Sequence, residues 1–396
     1  MAASLLTACM REAKRILSDS RIFVLLIGGP FLYAFVFGGV YWQGRSQHVP
    51  IIIVDQDHSA LSRGIVNALR ASENVQIAGW ANSPDELPEL ARREVAYACV
   101  MFPANLERDM LAGRAPKVAI LLDGTNTLLA APALGAVRSV VASYQIGISS
   151  KVLKASGVPP GSATTATRSI SLVGRPLFNP TGHYGYFMLI GLVCAATQSV
   201  IRMAVGVSIG FDRYDRMCQE LKPADLSTAW LYASKVLGTC AVTLPAVYGA
   251  VASVLTLFGT PHRGSLLLVW LAVTMYVVLQ VCMGYGYFGL CKSPLFALHV
   301  HMFMASVLFI VSGFSWPYYA MPAALQVVAH VLPIFHMNCI MREVNLVGVG
   351  VGSVLPHLLS LCVFLGLAYA WGYSAFKKWV VSQKATSPEF PQSIDC

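Results

Sequence analysis

Residues 284–289 read GYGYFG, the glycine spacing of a dinucleotide-binding turn, and residues 206–210 read GVSIG, the spacing of a serine-nucleophile elbow. The first chemistry needs a strand, a tight turn and a helix N-terminus aimed at pyrophosphate, and the second needs a strained strand-to-helix turn. Both stretches lie in long apolar runs instead. Their glycines are therefore expected to serve close helix packing, with Ser208 on a helix. His299 and His301 are two apart, which on a helix turns them about 200° from one another, so they cannot share a metal ion. The ten cysteines are scattered without a CxxC pair and read as small apolar packing residues. Neither a P-loop pattern nor any Gly-Lys pair occurs, so the chain is no ATPase on its own and binds no cofactor by any pattern it carries. Arg202 is different. An arginine at a helix centre costs about 2.5–3.5 kcal/mol on insertion scales. About two turns from the end of its helix it can snorkel to the surface, and it marks a candidate substrate pathway.

The elements that must position these residues are built for lipid. Of 396 residues, 56% are hydrophobic and 12% charged, whereas soluble domains carry roughly 25% charged residues. A helix needs about 20 apolar residues to cross a hydrocarbon core of about 30 Å. Stretches free of Asp, Glu, Lys and Arg run over 22–44, 176–201, 236–262, 264–291, 293–341 and 344–376. The net charge of +9 comes from Lys and Arg beside these runs, as membrane topology requires, and argues against nucleic acid. The first run is too long for a signal-peptide core and lacks a small-residue cleavage site, so it reads as a retained span.

Arg11, Lys14, Arg15 and Arg21 precede the first run, and Arg213, Arg216 and Lys222 follow the second. Lys292 follows the fourth, and Lys377, Lys378 and Lys384 follow the last, while the alternate short segments hold Arg263 and Arg342. Basic residues mark cytoplasmic segments, so both termini and residues 211–227 are expected inside. The run 293–341 is long enough for two spans, but a seventh crossing would put Lys377 and Lys378 outside. Pro317, Pro322 and Pro333 also interrupt its second half. It reads as one span, 294–316, and a re-entrant excursion over 317–343 that survives only where protein or water covers the backbone.

The expected fold class is an α-helical polytopic membrane protein of six transmembrane helices with an inserted α/β extracytoplasmic domain. Residues 1–21 form an amphipathic cytoplasmic-face helix, with Leu6, Met10, Ala13 and Leu17 at helical spacing and Arg11, Lys14 and Arg15 around the other side. Residues 22–42 are the first span. Residues 43–182 are the α/β domain, where VPIIIVD, NVQIAGW, AYACVMF and KVAILLD read as strands alternating with helical stretches, with partly parallel pairing. Residues 183–378 hold five further spans, and 379–396 form a cytoplasmic tail.

Between the second and third spans, FDRYDRMCQELKPAD packs seven charged side chains into residues 211–225. Further on, SGFSWPYYAMPAALQVVAHVLPIFHMNCIMRE covers 312–343. Its Ser312, Gly313, Phe314, Pro317, Met321, Pro322, Leu332, Pro333 and Arg342, with Glu343 beside them, resemble in order the signature of ABC-2 type membrane subunits. VDQDHSALSR, with Asp55, Asp57, Ser59, Ser62 and Arg63, resembles the opening motif of the branch with a large outer domain, as do LLDGTN at 121–126 and RPLFNP at 175–180.

The resemblance implies two paired subunits of six spans each, a homodimer or a pair of siblings, and a separate cytoplasmic ABC ATPase that binds ATP and Mg. It implies export across a bacterial inner membrane, often with membrane-fusion and outer-membrane partners. It also places a coupling helix for the ATPase at the charged island, with Asp212, Arg213, Asp215, Arg216, Glu220 and Leu221 as its residues. Tyr214, Arg216 and Met217 replace the second Glu, the Gly and the Thr of the usual loop, which points to weakened coupling, or coupling specialised to one ATPase. Two rivals come from other classes. A receptor or scaffold would sense an outer ligand through the α/β domain, but no kinase-like or cyclase-like cytoplasmic domain is present. An ion-coupled transporter would want a carboxylate in its spans, where none occurs.

Overall fold

The computed structural model describes residues 2–42, 48–93, 95–112, 114, 116–123, 127–155, 178–179, 183–211, 227–290, 294–316 and 318–386. Two compact units emerge, Met1–Gly44 with Leu177–Cys396, and Arg45–Pro176. The first unit begins with α1 (Ala2–Ser18) and α2 (Ser20–Val40), the latter passing through a π turn at Val24–Gly28. Asp19 separates them and caps α2, its carboxylate accepting the Arg21 backbone N–H at 3.0 Å.

The second unit runs β1 (Val49–Asp55), α3 (Ala60–Arg70), β2 (Val75–Trp80), α4 (Leu87–Arg92), β3 (Ala98–Phe102), α5 (Leu106–Leu111), β4 (Ala119–Leu122) and α6 (Thr127–Ala155). The sheet order is β2-β1-β3-β4, with β1 parallel to both neighbours and β4 antiparallel to β3. VPIIIVD is apolar up to its final Asp55 because both faces of β1 are covered. Val49, Ile51 and Ile53 pack with Leu61, Ile65 and Leu69 of α3, and Ile52 and Val54 with Ala96 and Cys99. The residues of VDQDHSALSR build the turn from β1 to α3. Asp55 accepts the backbone N–H groups of Asp57 and His58 at 3.0 and 3.1 Å and the Ser62 hydroxyl at 2.8 Å. Ser59 and Ser62 form a reciprocal capping box.

The first unit resumes with α7 (Tyr184–Phe211), α8 (Thr228–Thr256), α9 (Leu266–Gly289), α10 (Pro294–Val311), α11 (Ala323–His330), α12 (Pro333–Arg342) and α13 (Val351–Thr386). Among the described residues, α2, α7, α8, α9 and α13 are long and apolar enough to cross a membrane, and a sixth candidate arises if α11 and α12, bent by 86°, are taken together. Most of α7 is buried inside the chain whereas α2 and α13 mostly face outward, which makes α7 the inner helix. The two glycine patterns serve contacts between these helices. Gly206 lies against Phe288, Gly284 against Val205 and Gly286 against Trp371, each where a Cβ would clash, and Gly289 lies in tight contact with Ala375.

Two boundaries differ from the sequence reading. The helix expected over 294–316 ends at Val311, because the Ser312 hydroxyl donates back to the Phe309 carbonyl at 2.6 Å and Gly313 takes a left-handed φ of 75°. The last helix continues through the expected tail boundary at 379 to Thr386, with Trp379 packed beside Phe376.

Candidate functional site

Asp212, Arg213, Asp215, Arg216, Glu220 and Leu221 lie outside the described residues. What is described is their frame: α7 runs up to Phe211, and Ser227 stands at the N-cap of α8. Both helices are tied to α1. Glu12, 3% exposed, sits 3.1 Å from the Lys235 ammonium of α8 and 2.6 Å from the Arg15 guanidinium. Arg15 also donates to the Ser208 hydroxyl of α7. Gly238 allows this approach, since a Cβ there would meet the Glu12 Cβ at 2.8 Å and the Cys9 carbonyl at 2.9 Å. Burial opposes a charged carboxylate at Glu12, but Lys235 and Arg15 together outweigh it and hold the group below the ordinary carboxyl value.

Sequence reasoning missed this knot. Three residues of the expected apolar stripe of α1 face outward, Leu6, Met10 and Leu17 being exposed by 61%, 56% and 51%, while Ala13 packs on the bundle together with Glu12 and Ile16. Only the spacing of Glu12 and Ile16, four apart, could have signalled it.

The segment after α10 is the second constellation. Ser312 is buried and receives the Asn338 amide at 3.3 Å. Phe314 stacks on Phe187 with centroids 4.9 Å apart and fills the space beside Gly191. Pro317 lies outside the described residues. The Met321 carbonyl accepts from Gln326 at 2.9 Å, Pro322 precedes α11, and Pro333 opens α12 at a position where a missing N–H costs little. Arg342 is exposed, and Glu343 contributes its backbone carbonyl, which accepts the Gly348 N–H at 2.8 Å.

The far end of this segment is held by residues from the α8–α9 connection. Arg263 donates to the Leu346 carbonyl at 2.6 Å, and His262 Nδ1 donates to Asn345 Oδ1 at 2.7 Å. The Asn345 amide nitrogen donates to the Met341 carbonyl at 2.7 Å. Asn345 is fully buried, so Asn345→Leu takes the acceptor from His262 Nδ1 and should cost about 1–3 kcal/mol. Faster amide exchange over 341–349 checks it. Arg263→Ala, at an exposed site, should cost about 1 kcal/mol or less.

Arg202 does not snorkel. It is 7% exposed, its Nε donates to Gln280 Oε1 of α9 at 2.8 Å, and Nη2 lies 3.2 Å from the Met283 sulfur. The buried amide of Gln280 offers an acceptor inside the bundle, so the guanidinium braces α7 to α9. His299 is exposed and His301 buried, on different sides of α10, and no group of three or more His, Cys, Asp or Glu among the described residues is placed to hold a metal ion.

Long apolar helices, a broken hairpin between two of them and a surface helix pinned to the bundle define a polytopic helical membrane protein. The chain belongs to the ABC-2 family transporter proteins, whose shared pattern matches residues 21–373. It is similar to a probable multidrug ABC transporter permease, YbhR, of Escherichia coli strain K12, being 23% identical over 332 residues, 84% of this chain and 87% of that protein. The inner membrane transport permease YhhJ of the same strain is 24% identical over 384 residues, 94% of this chain and 96% of that protein. A second probable multidrug ABC transporter permease of that strain, YbhS, is 19% identical over 370 residues, 91% and 94% of the two chains. This is the membrane subunit of an ABC transporter.

Proposed function

We propose that the chain is the permease of an ATP-driven exporter in a bacterial inner membrane, working with a separate cytoplasmic ABC ATPase that carries ATP and Mg, and with a second permease, identical or a sibling. The observation that carries this is the family match over 21–373, which takes in the first span, the charged island and the broken hairpin together. The eleven basic residues on one side of the membrane support a cytoplasmic location for both termini and the island, and an outer location for the sheet-containing unit. That unit is then available to a membrane-fusion protein and an outer-membrane channel. Because relatives are named as multidrug permeases, small amphipathic drugs are the first substrates to try.

In this reading ATP binding draws two ATPases together and the islands move with them. Each island joins α7 to α8, and α1 is hydrogen-bonded to both helices, so α1 moves with the pair as one body. The hairpin α11–α12 lines the exit. Arg202 keeps α7 and α9 in step, a role that needs no substrate contact. Purification of the native complex tests the assignment. Recovery with a P-loop ATPase is expected, an accompanying sibling permease with an unmodified loop would identify the hetero-pair, and recovery of the chain with no ATPase would overturn the reading.

A further inference from the structure

Three histidines meet where α11, α12 and α13 converge. His336 Nε2 lies 2.9 Å from the His330 carbonyl, and His336 Nδ1 lies 2.9 Å from His357 Nδ1. A carbonyl oxygen only accepts, so His336 carries its proton on Nε2 and presents a lone pair at Nδ1. His357 must therefore donate from Nδ1. The result is a directed chain, His357 to His336 to the last carbonyl of α11, which ties the bend of the hairpin to the final long helix. The rings of Phe335 and Phe364 flank His336 with centroids 5.2 and 5.7 Å away.

We propose that His336 and His357 form a proton-operated latch that holds the α11–α12 bend against α13 and releases it when the pair takes up a second proton. The first excess proton enters at His357 Nε2 and leaves the chain intact, since the imidazolium still donates from Nδ1. A second proton has only His336 Nδ1 to occupy. There it removes the acceptor and sets two cations with facing nitrogens 2.9 Å apart. The other groups that act on the pair give no relief: His330 on α11 faces both rings, and Arg342 on α12 acts on His357. The Glu343 carboxylate interacts with Arg342 and is not among the groups acting on either imidazole. Tyr318 packs its ring on His330.

The sign follows from proton counting. The latched pair holds at most one excess proton and the separated pair two, so acid favours the open state. Below the ordinary imidazole value of about 6.5, each pH unit shifts the ratio of open to latched about tenfold. The inference concerns the hydrogen-bonded chain itself and stands apart from the direction of transport.

Hydrogen–deuterium exchange on the full chain in lipid nanodiscs tests it, with rates corrected for the intrinsic effect of pH and referenced to the sheet of the other unit. Peptides from 323–347 should accelerate about tenfold per pH unit from about pH 6 to about pH 5. His336→Gln offers one amide that both accepts from His357 and donates to the His330 carbonyl, without a second basic nitrogen, and should stay closed over the same range. His357→Phe lacks the donor and should be open at neutral pH. Wild-type exchange that does not respond to acid overturns the latch, as does an unchanged acid response in His336→Gln.

Discussion

Glu12→Gln should release α1 from the bundle. The substitution leaves the Lys235 ammonium buried beside a neutral amide, and breaking a buried pair from one side costs about 3–5 kcal/mol. That is more than a single docked helix of this length is expected to spare, so the change should appear as detachment. Cys9, whose carbonyl faces Gly238, provides the readout: labelling by a water-soluble maleimide, located by mass spectrometry, should rise strongly. Glu12→Leu combined with Lys235→Met replaces the pair with apolar volume and should restore protection. The same contact predicts acid sensitivity. Because the Glu12 carboxyl is held below its ordinary value of 4.5, its contribution is complete above that value and is lost as pH falls below it. Relative to the intrinsic thiol reactivity at each pH, labelling of the wild type should rise in that range and that of the double variant should not. Equal protection of Cys9 in Glu12→Gln and wild type would mean that the carboxylate does not hold the helix.

Arg213→Glu with Arg216→Glu should abolish transport and the stimulation of ATP hydrolysis while leaving membrane insertion intact. Reversing two charges turns attraction to a complementary partner into repulsion, and like charges brought together across an interface cost several kcal/mol. At about 1.4 kcal/mol per factor of ten, that is a loss of a hundredfold or more in docking. ATPase activity of the reconstituted complex and efflux from cells would be measured side by side. Unaltered export by the double variant would reduce the island to a linker between α7 and α8. Since α1 is pinned to both helices, Glu12→Gln should also lower transport without weakening ATPase binding, which separates transmission of the movement from docking.

Much of the architecture is legible in the sequence. The long runs without charge became the long helices, apart from 293–341, which breaks into α10, α11 and most of α12, because hydrocarbon admits a backbone only when its own hydrogen bonds are closed. The strand pattern of VPIIIVD through KVAILLD appeared as a mixed four-stranded sheet, because short apolar runs alternating with helical stretches suit strands covered on both faces. The three prolines after Ser312 marked a broken segment, and the bend of 86° between α11 and α12 lies between two of them, Pro322 and Pro333. What could not be read was how that segment is held. Arg342 and Glu343 were the visible charges there, but the hydrogen bonds come from His262, Arg263 and Asn345, more than eighty residues apart in the chain and meeting only after α8 and α9 pack.

The same division runs through α1. Its apolar spacing by itself determined an amphipathic helix, and Leu6, Met10 and Leu17, which recur at that spacing, remain exposed. The choice of bundle-facing stripe was decided only in three dimensions. A carboxylate is tolerated in an apolar interior when a cation meets it, and Lys235 reaches Glu12 from 223 residues away. Arg202 follows the same rule: one sequence position can state the cost of a buried charge, but not the distant Gln280 that accepts its proton donor. Hydrophobic spacing is a local property and survives translation into text; the pairing of polar groups depends on which helices become neighbours, and that is settled by the packing of the whole bundle.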